Sequence, residues 1–262
     1  MKFKQSIECL LTMAITLCAL TNIWAQDIKR TESPLSGEDV ILQWNRVLKE
    51  TVGAPGQHPA SIMPVRSYAM MHAAMFDAVN SIDGTYTPYL IDIPGTKNAS
   101  VTAAAAQAAR DVLVGLYPGR QAIFDAELAV SLEGIPQNRA LQGIRVGQAV
   151  AVRMLNARAN DGWNATPPTY VLPTTPGNWQ PTPPANSAAT FTHYPNVVPF
   201  AVASSSQFSP APPPALTSAE YAAAFNEVRE IGAANSSTRT ADQTKAAQLW
   251  ANVNTPTNFL FV

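Results

Sequence analysis

Cysteine is nearly absent: the 262 residues hold two, Cys9 and Cys18, both within the first 18 positions. Met1 to Ala25 has a short basic start (Lys2, Lys4), an apolar stretch from Leu10 to Leu20, and Ile23-Trp24-Ala25 ahead of Gln26. That order reads as a secretory signal peptide over 1–25, so the protein is expected to be exported, periplasmic or secreted. The apolar stretch falls short of the about 20 residues of a membrane span, and no later segment qualifies, so no membrane partner is expected after cleavage. With both cysteines in the signal, the mature chain has no thiol. Thiolate nucleophiles, disulfides and cysteine metal sites are excluded together.

Charge is scarce as well. Asp, Glu, Lys and Arg make up 13% of the chain, about half the usual fraction near 25%. The formal net charge is -1, which leaves no large basic field to capture nucleic acid or anionic lipid. Histidine is limited to His58, His72 and His193, on a loop, a helix and a charge-free stretch. No local spacing brings two of them to one face. Phosphate loop, G-x-G-x-x-G, H-E-x-x-H, EF-hand and G-x-S-x-G patterns are all missing. No residue is therefore assigned as catalytic, cofactor-binding or metal-ligating.

What the sequence does have is helical periodicity. Ser36-Gly37-Glu38-Asp39 is a helix-start signal, after which Val40, Ile41, Trp44, Val47, Leu48 and Val52 recur on one face. Pro64 opens a second helix with Val65, Tyr68, Met71, Met75, Phe76, Val79 and Ile82 on one broad face, ending near Asp83-Gly84. An alanine-rich helix starts at Ser100 and runs to Leu116, its small side chains letting neighbouring helices approach closely, and Gly119 to Leu132 and Pro136 to Asn160 give two more. Met63, Met70, Met71 and Met75 are expected to fill core. His72, near Asp77 and Asn80, is expected to be a buried histidine held by a backbone carbonyl. Arg139, Arg145, Arg153 and Arg158 lie at spacings that scatter them around one helix, as a solvated surface.

The chain changes character at Gly162. From Gly162 to Ala219 no Asp, Glu, Lys or Arg occurs, yet the segment holds 13 of the 22 prolines. Proline lacks the amide donor and restricts its predecessor, so this stretch is not helical. Trp163, Tyr170, Trp179, Phe191, Tyr194, Phe200 and Phe208 are expected to anchor it as an ordered strap. Helix returns after Thr217-Ser218-Ala219-Glu220 and after Thr240-Ala241-Asp242-Gln243, both of the capping-box type. The organisation read from this is a signal at 1–25, a helical part at 26–161, a Pro- and aromatic-rich strap at 162–219, and the start of a further helical part at 220–262. The last four residues, Phe259-Leu260-Phe261-Val262, are apolar, which leads to the expectation of a truncated chain.

Several segments together carry a family resemblance: Ile41-Leu42-Gln43-Trp44-Asn45, the run Met71 to Ile82, Tyr86 to Tyr89, Pro176-Gly177-Asn178-Trp179 through Pro184, Val198-Pro199-Phe200, and Gln207-Phe208 through Tyr221. In order and spacing they resemble the amino-terminal half of vanadium-dependent haloperoxidase-like proteins of the type-2 phosphatidic acid phosphatase (PAP2) superfamily. The resemblance implies an all-α fold, a partial helical bundle of the vanadium haloperoxidase/PAP2 type, with a long Pro-rich irregular strap. It implies vanadate as the family's cofactor, with halide oxidation by peroxide or phosphate ester hydrolysis as the chemistry. The family's oxyanion motifs (K, six residues, then R-P; P-S-G-H; a later arginine and histidine) belong to its carboxy-terminal helical half, and none occurs here. Whether this chain is an enzyme is thus left open: catalytic residues, none; cofactor-binding residues, none; metal ligands, none. The missing carboxy-terminal helical half is the implied partner, homodimerisation stays open, and a non-catalytic exported helical binding module is the alternative.

Overall fold

The computed structural model describes residues 39–54, 63–94 and 97–251. The signal segment, the helix-start signal at 36–38, His58 and the apolar end at 259–262 lie outside them. Among the described residues there are seven α-helices and no strand, so the fold is all-α.

Helix α1 (Val40–Gly53) buries Trp44, Val47, Leu48 and Val52. The stripe at helical spacing is therefore the buried one. The indole N–H of Trp44, enclosed with its ring, donates to Ser131 Oγ at 3.2 Å. That bond supplies the partner that a buried indole requires.

Helix α2 (Met63–Asp83) buries Met70, Met71, Met75 and Ile82. The apolar face is narrower than its sequence suggests: Val65 and Phe76 are 63% and 40% exposed. They lie about 100° and about 120° around the helix from the Met71–Met75–Ile82 seam, at about 100° per residue, and so turn outward.

Helix α3 (Val101–Leu116) is the central element, packed against α1, α2 and the two helices that follow it. Its run Ala103 to Ala109 is buried on every side. Ser100 caps it, accepting from the Ala103 N–H at 3.2 Å. A short 3-10 turn (Pro118–Arg120) leads into α4 (Gln121–Ser131).

Helix α5 (Gln137–Arg158) lies along α3. The two backbones meet at Gly143 and Gly147, where no side chain fits. A Cβ at Gly147 would sit 2.5 Å from Ala104 O and 2.8 Å from Ala108 N, well inside contact distance. Small residues on both helices thus set a close approach, which dispersion then rewards along the whole contact.

Helices α6 (Ala219–Ile231) and α7 (Ala241–Ala251) bury no residue. Ser218, one place after Thr217, caps α6 by accepting from the Tyr221 N–H. Either hydroxyl has the chemistry, and the chain enters the helix at the second. Thr240 and Gln243 form the reciprocal capping box at α7: Thr240 Oγ1 accepts from the Gln243 N–H at 3.1 Å, and Gln243 Oε1 accepts from the Thr240 N–H at 2.9 Å. No helix among the described residues is long and apolar enough to cross a membrane.

Candidate functional site

Polar side chains gather where the strap meets the ends of α2 and α5. Asp161, two residues beyond the α5 cap, is 3% exposed. One of its oxygens, Oδ2, accepts from Arg66 Nε at 2.8 Å and from Arg158 Nε at 3.0 Å. The other, Oδ1, accepts from the Trp163 N–H at 3.1 Å. Burial by itself raises the carboxyl's pKa. The hydrogen bonds from Arg66 and Trp163 and the charges of Arg66 and Arg158 outweigh it, so Asp161 sits below its ordinary value of 3.8. Two guanidinium groups on one carboxylate leave the cluster with a surplus positive charge.

The remaining guanidinium donors go to backbone. Arg66 Nη2 donates to Arg158 O at 2.8 Å. Arg158 donates from Nη1 to Pro199 O at 3.2 Å and from Nη2 to Val198 O at 2.6 Å. The strap returns one bond, Val198 N–H to Asp161 O at 2.8 Å. Gly162, at φ +87°, makes the turn that allows this return. There a Cβ would meet Asn196 O at 3.1 Å.

Rings complete the junction. The Arg158 guanidinium lies 3.8 Å from the Phe200 ring centroid, and that of Arg66 lies 5.5 Å from the Trp163 ring. Tyr194 packs against Trp163 at 5.8 Å and Phe191 at 5.5 Å. Beneath, Ser67 Oγ and Tyr117 OH are hydrogen-bonded at 2.8 Å. Burial pushes the Tyr117 phenol up to about 12, against the lowering effects of the Ser67 bond and the Arg66 charge. Tyr68 is pushed up further, by burial and by Tyr117.

Arg158 is thus a correction to the solvated-surface reading of its helix. Arg139, Arg145 and Arg153 are exposed, but Arg158 is buried because Asp161 and two strap carbonyls compensate its charge. Of the expected strap anchors, Trp163, Phe191, Tyr194 and Phe200 are half-buried at this junction. Tyr170 and Trp179 instead pair with each other at 5.8 Å and stay exposed, and Phe208 is 77% exposed.

His72 is half-buried, with Nε2 3.0 Å from Asn45 Oδ1. The partner is a side chain on α1 rather than a backbone carbonyl. Asp77 and Asn80 do not join it. Asp77, fully buried, accepts from the N–H groups of Tyr89, Leu90 and Ile91 at 2.7, 2.8 and 3.0 Å. Asn80 bonds both the N–H and the C=O of Tyr86. Together they hold the 84–93 segment against α2. His193, on the strap, is 6% exposed and neither ring nitrogen has a hydrogen-bond partner.

Asp161 and Arg66 went unremarked as functional groups in the sequence, and Asp77 was noted only as a neighbour of His72. The only local signal was Asp161-Gly162, which reads as a helix stop. Among the described residues no group of three His, Cys, Asp or Glu is placed to hold a metal ion.

No protein-family model matches the chain, and no curated protein matches it. Among solved structures, its fold is similar to that of a bacterial vanadium-dependent iodoperoxidase, with a TM-score of 0.56 and 22% sequence identity. The match covers 74% of this chain and 48% of that one, so the chain spans about half the length of the structure it resembles. The fold is vanadium haloperoxidase-like.

The described residues do not fit a vanadate group. An oxyanion needs several donors aimed at one point. Arg66 and Arg158 are aimed at Asp161 and at carbonyls. Neither His72 nor His193 shares a hydrogen bond or ring contact with either arginine.

Proposed function

We propose that this chain supplies the helical scaffold of a vanadium haloperoxidase-like or acid-phosphatase-like protein and does not catalyse by itself. One observation carries the proposal: the buried Arg158 and the half-buried Arg66 of the junction direct their charge at Asp161 and their remaining donors at backbone. Any oxyanion there would have to displace a carboxylate held in a buried ion pair. The absence of R-P after Lys245 and of P-S-G-H anywhere in the chain supports the same reading. The residues that hold an oxyanion would then come from polypeptide outside these 262 residues. Export belongs to the proposal as well, and the exported protein should begin at Gln26 by mass spectrometry.

The test is titration of the purified chain with vanadate, followed by vanadium-51 NMR, alongside peroxide-dependent oxidation of iodide and bromide. The expected result is free vanadate only and halide turnover at the protein-free rate. Saturable vanadate binding, or halide oxidation that scales with protein, would sink the proposal.

A non-catalytic binding role has its own support in α6 and α7. Phe225, Val228, Leu249 and Trp250 are 55%, 71%, 51% and 65% exposed. Exposed apolar side chains on adjacent helices are a feature of interaction surfaces.

A further inference from the structure

We propose that residues 162–200 form a strap that opens as one unit about Gly162, with Asp161 as its latch, uncovering Arg66, Arg158 and the Tyr89 hydroxyl at the ends of α2 and α5. Three observations converge on this device.

The strap is held to itself along its length. Thr192 Oγ1 donates to Pro168 O at 2.6 Å, bridging 24 residues. Asn178 Nδ2 donates to Pro173 O and Thr175 Oγ1, and Gln180 Nε2 donates to Pro173 O, which closes a loop that carries the Tyr170–Trp179 pair. Phe191, His193 and Tyr194 pack ring against ring. A segment with internal contacts of this kind opens as a body instead of fraying residue by residue.

Its ties to the helices are few and concentrated. Asp161, Arg66 and Arg158 meet Trp163 and 198–200, Tyr89 OH donates to Phe200 O at 2.8 Å, and the Phe200 ring packs against the helical core. Most depend on one carboxylate, because Asp161 orients both guanidinium groups. Without it, the buried Arg158 faces the half-buried Arg66 with no anion between them, and the carbonyl bonds of Arg158 lose their aim.

The closed form also carries a standing cost. His193 is buried with neither ring nitrogen hydrogen-bonded. A buried polar group without a partner forfeits its hydration. Opening returns the imidazole to water, so part of the latch's grip is spent on holding His193 closed.

Hydrogen exchange read by mass spectrometry on the full chain tests this. The Val198 N–H donates across the junction to Asp161 O, so a peptide spanning 191–200 reports closure through that amide, whereas the Tyr194, Asn196 and Val197 N–H groups bond within the strap and stay protected when it opens as a body. In Asp161→Asn, the Val198 amide in that peptide should exchange on the order of a hundred-fold faster, with peptides from α3 and α5 unchanged. Tyr89→Phe, a milder change that removes one hydrogen bond, should speed the same amide about five-fold. Either of two outcomes overturns the proposal: protection of the Val198 amide that survives in both variants, or protection lost from α2, α3 and α5 in step with it. If Asp161→Asn does not fold, the Tyr89→Phe result decides by the same criteria.

Discussion

His72 shows how a single residue's surroundings become a measurable property of the whole chain. Burial lowers its pKa below the ordinary 6.5, since the charged imidazolium would lose hydration. Its Nε2 faces Asn45 Oδ1, an acceptor, which places the proton of the neutral ring on that nitrogen. As pH falls through about 6.5, the unfolded chain takes up this proton before the folded chain does. Stability from this group is therefore complete above about pH 6.5, declines as pH falls toward the depressed folded pKa, and is level below it. His72→Gln keeps a side-chain donor toward Asn45 and removes the titration. Urea unfolding between pH 8 and 5 should show a smaller loss of stability in the variant than in the parent chain. Parallel pH profiles would mean that His72 titrates alike in both states.

At the scale of the element, α3 and α5 approach each other closely at Gly143 and Gly147. A methyl group at Gly147 has only backbone and a neighbouring Cβ to push against, at 2.5 to 2.8 Å, so relief requires one helix to shift along its length. Gly147→Ala should therefore cost about 1–3 kcal/mol or more through overpacking, despite the higher helix propensity of alanine. Gly119→Ala is the matched control, because nothing lies within 4 Å of a Cβ there. Thermal unfolding of the pair should separate them clearly, and equal midpoints would show that the helices slide apart freely. The alanine run of α3 was legible in the sequence as a place of close approach, as were the α1 stripe and the caps at Ser100 and Thr240. These are local signals with a period of 3.6 residues or a span of three. Val65 and Phe76 were misplaced because an apolar residue about 100–120° from the seam belongs to no face until the neighbouring helices are fixed. The Arg66–Asp161 pair joins residues 95 positions apart. Nothing in the spacing of either residue states that the strap folds back onto α2. Asp77 is the same case on a shorter scale, its role being set by amides 12 to 14 residues downstream.

Across the molecule, burial falls steeply from α3 outward, and stability should follow it. Helix α3 has nine buried residues and neighbours among the other four helices of the bundle, so its amides exchange only when the bundle opens. Helices α6 and α7 bury none, and they rest on local devices: the Ser218 cap, the Thr240–Gln243 box, and Arg239, whose Nη1 donates to Ile231 O and Ala233 O at 2.9 and 3.0 Å across the corner between them. Isolated helices of 13 and 11 residues are marginal in water even with good caps. The low charge of the sequence sharpens this. The charge-free segment 162–219 separates the two helical regions, so no ion pair from it reaches α6 or α7. Native-state hydrogen exchange should therefore find α3 amides protected to near the global unfolding free energy, and α6 and α7 amides exchanging orders of magnitude faster. A binding partner that covers Phe225, Val228, Leu249 and Trp250 should slow exchange in α6 and α7 while leaving α3 unchanged. Uniform protection from α1 to α7 in the chain alone would show instead that the last two helices draw stability from packing, and the case for an interaction surface there would fall with it.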